Sequence, residues 1–340
     1  MSTSAIKTRE PLLEVKNLVQ QFPLNKGLLR TLHFKNGRLV HERKFVHAVN
    51  GITFEIMKGE VFSIVGESGC GKSTTARTII RLLELTSGEV HFDGTDISRL
   101  NAVQLRPFRR RMQMIFQNPY ASLNPRHTIK TILTEPMLFH GVAKNNKDAE
   151  EQALALMEKV GLRKEQIERF PHQFSGGQRQ RISIARTLAV NPEFIIADEP
   201  VSALDVSIQA QILNLMMELR EELNLSYLFI AHDLAVVKHI SDRVGVMYLG
   251  RFVEVGSKKD VFENPLHPYT FALLASVPVL GGRNLKSNEL AGDVPTTPTE
   301  LPQGCLFAAR CPKAQAICQN IIPEFKEYAT GHYCACHLIR

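Results

Sequence analysis

The sequence predicts an α/β fold built on a largely parallel sheet, and three observations predict it. From Leu12 to about Gly256, short β-branched runs alternate with longer amphipathic segments. Each run gives way to a polar or glycine-rich turn, and one of them, Val61 to Val65, passes directly into Gly66-Glu67-Ser68-Gly69-Cys70-Gly71-Lys72-Ser73. The predicted strands are Val61 to Val65, Met112 to Phe116, Phe194 to Ala197 and Tyr227 to Ala231. Ligands of open α/β sheets bind beyond the carboxyl ends of the strands, so the chemistry is expected at the ends of these four.

Between the second and third strands the texture turns helical. Ala153, Leu154, Leu156, Met157 and Val160 recur at helical spacing over 148–160, and Ile182 to Leu188 opens another helix. A mainly helical subdomain is therefore expected over about 118–190. After Asn264 come Pro265, Pro268, Pro278, Pro295, Pro298 and Pro302, with Gly281 and Gly282, which predict a helix at Tyr269 to Ser276 and then a loop-rich connection. Five of the six cysteines fall between Cys305 and Cys336. This division predicts one domain over 1–264 and a Cys-rich C-terminal extension over 265–340.

A chain of 340 residues has room for two structural units, at roughly 150 residues per domain. Its composition, 44% hydrophobic and 22% charged, is that of a globular protein. No apolar run approaches the roughly 18 to 20 residues that cross a bilayer, and Met1 to Leu13 lacks the apolar core of a signal peptide, so a cytoplasmic location is expected. Part of the net charge of +7 sits where Lys26, Arg30, Lys35, Arg38, Arg43 and Lys44 have only Glu42 as an acidic neighbour. A solvated loop is the plain reading of that insert, and contact with lipid headgroups the alternative. Nothing resembles a DNA- or RNA-reading motif, so no nucleic-acid partner is expected.

Gly66 to Ser73 fits the phosphate-loop pattern G-x-x-x-x-G-K-[ST], and its context, a strand before and a helix after, agrees. Glycines let backbone N–H groups turn inward around phosphate oxygens, and the following helix directs its positive end at the same anion. Lys72 is expected to reach the β- and γ-phosphates and the Ser73 hydroxyl to ligate Mg²⁺, with Thr74 beside it. Cys70 occupies a variable position of the pattern and receives no catalytic role. The strand Phe194 to Ala197 ends in Asp198 and Glu199. Side chains alternate along a strand, so the two carboxylates divide the work: Asp198 to hold Mg²⁺, Glu199 to polarise the attacking water as general base.

Ser175-Gly176-Gly177-Gln178-Arg179-Gln180 lies between the loop and the acidic strand and resembles the signature motif of ATP-binding-cassette (ABC) ATPases. Physically, Ser175 and the amides of Gly176 and Gly177 open a helix and form a second helix-end anion site. The resemblance implies a P-loop NTPase fold, the ABC nucleotide-binding domain, with a RecA-like core and antiparallel β and α-helical subdomains. It also implies ATP and Mg²⁺ as ligands, and head-to-tail pairing of two chains so that each signature closes on the other's γ-phosphate. Further positions match the family one at a time. Gln117 matches the Q-loop glutamine near Mg²⁺ or the attacking water. Ser202-Ala203-Leu204-Asp205 resembles the D-loop that communicates between sites, His232 the switch histidine, and Phe22 the aromatic that stacks on adenine.

Asn118 to Arg126 and the tail from Pro265 through Tyr269 to Cys305 and Pro312 are similar to those of dipeptide and oligopeptide importer ATPases, in particular the second ATPase subunit of such permeases. The implied partners are a paralogous ATPase, two transmembrane permease subunits and an external peptide-binding protein, with this chain peripheral on the cytoplasmic side of the inner membrane. The alternatives are an importer of another solute such as nickel or haem, and a soluble non-transport ABC ATPase.

A loop-rich module of some seventy residues buries little apolar surface and usually needs a staple, and in a reducing cytosol a metal is favoured over disulfides. The cysteine spacing fits neither zinc-knuckle pairs nor the bacterial ferredoxin run, and an extended end leaves Cys334 and Cys336 equivalent. Resemblance to the peptide-permease ATPases implies a [4Fe-4S] cluster on Cys305, Cys311, Cys318 and Cys336, with zinc as runner-up.

Overall fold

The computed structural model describes residues 10–24, 32–35, 38–41, 44–276 and 299–339. Lys26, Arg30, Glu42 and Arg43 of the basic insert, and Pro278, Gly281, Gly282, Pro295 and Pro298 of the connection, lie outside the described residues. The chain divides into two compact units, neither continuous in sequence. One gathers Met1–Glu14, Glu55–Ser63 and His91–Ala231, the other Val15–Phe54, Ile64–Val90 and His232–Arg340. The strand Val61–Val65 begins in the first and ends in the second.

In the first unit, strand Met112–Ile115 pairs in parallel with Phe194–Asp198, which pairs in parallel with Ser226–Ile230. The register sets Met112 beside Phe194, and Asp198 beside Ile230 at the carboxyl end. Every residue of the last two strands is buried. A strand covered on both faces runs as continuous apolar sequence instead of alternating, and that run is the signal in FIIAD and SYLFI.

Helices Ile129–Phe139, Asn146–Lys159 and Gly176–Leu188 follow the first of these strands. Their buried residues recur every three or four positions: Ile129, Ile132, Leu133 and Met137 on one, Ala149, Ala153 and Met157 on the next. Each starts at a residue whose side chain accepts from the first turn, Thr128, Asn145 and Ser175 in turn. Helix Val206–Leu223 stops at Asn224, which takes φ 50°, a left-handed end that asparagine tolerates.

Phe45–Met57, Pro11–Pro23 and Ser87–Phe92 lie side by side in that order, and the second unit holds residues 45–54, 15–23 and 87–90 of them. Ile52, Phe54 and Ile56 are buried while Gly51, Thr53 and Glu55 are exposed, so one sheet face is solvated. Strand Arg243–Tyr248 turns through Leu249 and Gly250, at φ 43° and 79°, and pairs back antiparallel with Arg251–Ser257. Positive φ at both central residues matches the twist of the strands it joins. Arg251–Ser257 then pairs with His332–Cys334, and that strand with Lys326–Ala329. The end of the chain therefore extends a sheet of this unit. Among the described residues, no helix is long and apolar enough to cross a membrane.

Candidate functional site

The phosphate-loop segment lies in the second unit. Strand Val61–Val65 is wholly buried and leads into Gly66, Gly69 and Gly71, at φ 153°, 80° and 110°. Two of these glycines are required by close approach as well. A Cβ on Gly66 would stand 2.2 Å from the Met247 carbonyl oxygen, and one on Gly71 2.2 Å from that of Ala48. Helix Lys72–Ile79 then begins without a side-chain cap, so its first N–H groups and its positive end are turned to whatever occupies the loop.

Lys72 is 4% exposed, and its ammonium lies over the loop, donating to the carbonyls of Gly66 at 2.7 Å and Glu67 at 2.9 Å. Ser68 and Gly69 are exposed, Ser73 and Thr74 half-buried. An uncapped helix end, a buried ammonium and the hard oxygen of Ser73 are a donor set that suits a polyphosphate with Mg²⁺. Burial pushes the Cys70 thiol up, against the pull of Lys72, so it stays a neutral thiol and not a nucleophile.

Glu67 is held from three sides. Its N–H donates to Tyr269 Oη at 2.9 Å, its carbonyl accepts from Lys72, and its carboxylate takes both guanidinium nitrogens of Arg310, at 2.7 and 3.0 Å. That fork holds the Arg310 guanidinium above its already high ordinary pKa. Tyr248, Tyr269 and Phe307 pack at centroid distances of 4.7 to 5.3 Å, and the Arg310 guanidinium stands 5.9 Å from the Tyr248 ring. Tyr269 and Arg310 are the partners of the loop that reading the sequence does not pick out. A carboxylate inside an anion cradle calls for a cation, but the sequence does not say which of 41 lysines and arginines supplies it.

His267 caps the helix Pro268–Ala275, its Nδ1 accepting from the Tyr269 N–H at 3.0 Å. Burial lowers its pKa to about 3, so the ring is neutral in the folded chain. An unfolded chain binds this proton below about pH 6.5, and the folded one refuses it down to about 3. The linked stability is thus intact above pH 6.5 and falls as pH drops toward 3. Between pH 7 and 5 this single group is expected to cost about 2 kcal/mol. Denaturant unfolding of His267→Asn, which keeps an acceptor at the cap, should lack that part of the loss.

The remaining expected residues are divided between the units. Phe22 is half-buried near the end of Pro11–Pro23, and His232 is exposed just before the helix Leu234–Ile240, both in the second unit. In the first unit, Asp198 ends its strand fully buried. Glu199 does not continue the strand: it takes φ 47°, its N–H donates to the Ile230 carbonyl, and its own carbonyl accepts from Ser202 Oγ at 3.1 Å. The backbone therefore leaves the strand at Glu199 through a left-handed turn, and strand alternation does not extend to it. Gln117 Nε2 donates to Glu199 Oε2 at 2.9 Å.

Ser175 and Gln178 cap each other reciprocally, Ser175 Oγ accepting from the Gln178 N–H and Gln178 Oε1 from the Ser175 N–H. Gly177 lets that helix end pack tightly, since a Cβ there would lie 2.6 Å from Ile208 Cγ2, while one on Gly176 would meet Leu204 Cδ2 at an ordinary 3.4 Å. Asp205 opens helix Val206–Leu223, and Ser202 stands between it and Glu199.

The metal expected on Cys305, Cys311, Cys318 and Cys336 is not supported. Among the described residues, no three or more His, Cys, Asp or Glu side chains are placed to hold a metal ion. A staple is needed by a module standing alone. The tail instead adds strands to the sheet and anchors on Glu254, fully buried, which accepts from the N–H groups of Leu266 and His267, each at 2.9 Å, and from His332 Nε2 at 2.8 Å.

The family described as ABC transporter matches residues 49–202, and that described as oligopeptide/dipeptide transporter, C-terminal region, matches 253–318. Similar proteins include the oligopeptide transport ATP-binding protein AppF of Bacillus subtilis, 52% identical over 97% of this chain and 98% of the relative. The dipeptide transport ATP-binding protein DppF of Escherichia coli is 44% identical over 100% and 98%. Among solved structures, cbiO1 of Clostridium perfringens, part of the ABC transporter complex cbiONQ, aligns with TM-score 0.61 at 25% identity, over 75% of this chain and 92% of that one. The dimeric cassette MJ0796, in a post-hydrolysis state with ADP and phosphate, aligns with TM-score 0.61 at 28% identity, over 72% and 98%. The fold and loop are those of an ABC-type ATPase. The chain belongs to the ABC transporter family, among the ATP-binding proteins of oligopeptide and dipeptide transport.

Proposed function

We infer that this chain is the ATP-hydrolysing subunit that powers import of peptides through a membrane permease. The observation that carries the reading is the phosphate loop with its buried Lys72 and uncapped helix, in a chain similar over its whole length to peptide-transport ATP-binding proteins. In this reading Gly66, Glu67, Ser68, Gly69, Cys70, Gly71, Lys72, Ser73 and Thr74 cradle the phosphates, and Phe22 stacks on the adenine. Mg²⁺, held by Ser73, Gln117 and Asp198, supplies the charge that offsets the phosphates. Glu199 accepts a proton from the attacking water, and His232 holds the γ-phosphate.

Ser175, Gly176, Gly177 and Gln178 serve the partner's nucleotide, and Ser202 and Asp205 carry the signal between sites. The likeness to a cassette solved as a dimer supports such pairing, here with a paralogous ATPase. Residues 1–264 form the ATPase domain, with its helical subdomain over about 118–190, and 265–340 a C-terminal extension. The assembly comprises two permease subunits and an external peptide-binding protein, and this chain is peripheral on the cytoplasmic side of the inner membrane.

Affinity purification from detergent-solubilised membranes tests the assignment. Two permease subunits and a second, distinct ATPase are expected to co-purify in stoichiometric amounts. Recovery with ribosomes, or alone from membranes that contain the permease, would sink it.

A further inference from the structure

We propose that Arg310 is a positioning residue for ATP binding: by neutralising and fixing Glu67, it sets the affinity of the phosphate loop for nucleotide. The proposal rests on Gly66 to Ser73 being the ATP cradle, and it makes the C-terminal segment part of that cradle.

Glu67 is the second residue of the loop, and its three polar groups are all engaged. Lys72, which holds the carbonyl, belongs to the loop itself. Tyr269 and Arg310, which hold the N–H and the carboxylate, come from two separate segments late in the chain. The Arg310 side chain is 7% exposed and that of Glu67 21%, so the pair is shielded where most surface pairs are screened. The guanidinium also has a fixed seat. It stands 5.9 Å from the Tyr248 ring, which packs edge to face on Tyr269 and on Phe307, and Phe307 itself is 1% exposed. Two hydrogen bonds in one plane define the direction of the carboxylate as well as its charge.

The consequence is electrostatic. ATP brings several negative charges to a loop that already contains one carboxylate. Left unpaired, Glu67 opposes that ligand at short range; paired with Arg310, it presents a neutral dipole. The same fork restrains the segment whose carbonyls, at Gly66 and Glu67, hold the Lys72 ammonium. Arg310 thus acts on nucleotide through Glu67 and never touches it. The family block over 253–318, which contains Arg310, then has a role in nucleotide affinity as well as in packing.

The test is ATP turnover against ATP concentration in the assembled transporter in lipid vesicles, with each variant in the full chain. Arg310→Gln is expected to raise KM for ATP about tenfold with kcat within about twofold. Arg310→Lys, which keeps the charge and loses the fork, should raise KM about threefold. Glu67→Gln combined with Arg310→Gln should recover most of the lost affinity, because the unpaired carboxylate is gone. A purely structural Arg310 predicts the opposite, a double variant at least as impaired as the single one, and that result overturns the proposal. So does a KM for Arg310→Gln within twofold of wild type. Should Arg310→Gln fail to assemble, Arg310→Lys decides, and an unchanged KM overturns the idea. Lys72→Ala is run alongside. If it still binds ATP normally, the cradle itself is misassigned; if it is inactive while Arg310→Gln behaves as wild type, only the positioning role falls.

Discussion

Lys72→Ala is expected to lower ATP turnover of the assembled transporter by at least about a hundredfold, equivalent to roughly 3 kcal/mol of lost stabilisation. The ammonium is 4% exposed, and it donates to main-chain carbonyls of the loop at 2.7 and 2.9 Å and to the Cys70 sulfur at 3.8 Å. It is therefore a charge held in place by neutral groups, available in full to an arriving phosphate. Removing it takes away the one side-chain cation of the loop and leaves two carbonyl oxygens facing an anion. Direct binding of ATP, measured by calorimetry on the purified chain, should weaken in parallel. Turnover within tenfold of wild type in the assembled transporter would mean that the nucleotide binds elsewhere.

What the sequence reveals here follows from how local each feature is. FIIAD and SYLFI read as buried strands because both faces are covered, and the structure shifts their ends by a single residue. Helix Gly176–Leu188 shows its apolar repeat only in its second half, because Gly-Gly-Gln-Arg-Gln carries none, and its start is legible from Ser175 and the two glycines instead. The reciprocal caps of Ser175 and Gln178 are the signal that marks its true start.

Strand Phe45–Met57 was open to the same kind of reading, since Ile52, Phe54 and Ile56 alternate with exposed neighbours. Contacts between distant segments are another matter. Nothing local in Glu254 announces that it will anchor His332, or in Arg310 that it will meet Glu67. The metal expectation fails at that point. An isolated tail of that size needs a staple, whereas this one shares a sheet and a buried carboxylate with the rest of its unit.

Glu199→Gln separates binding from chemistry. Gln117 donates to Glu199 Oε2 at 2.9 Å, and a glutamine at position 199 still presents a carbonyl oxygen to that donor. The turn that holds residue 199 is built from its backbone, through the Ile230 carbonyl and Ser202, so the substitution leaves it intact. The variant removes the ability to take a proton and the negative charge beside an incoming phosphate. Losing the base should slow hydrolysis by about 10² to 10⁴. Losing the charge should, if anything, favour ATP binding. ATP with Mg²⁺ should then convert the variant and its paralogous partner into a dimer that persists through size-exclusion chromatography, while wild type under the same conditions hydrolyses ATP and separates. Hydrolysis within fivefold of wild type would remove Glu199 from the base position, whereas slow hydrolysis without a trapped dimer would argue against the shared-nucleotide arrangement and leave the base in place.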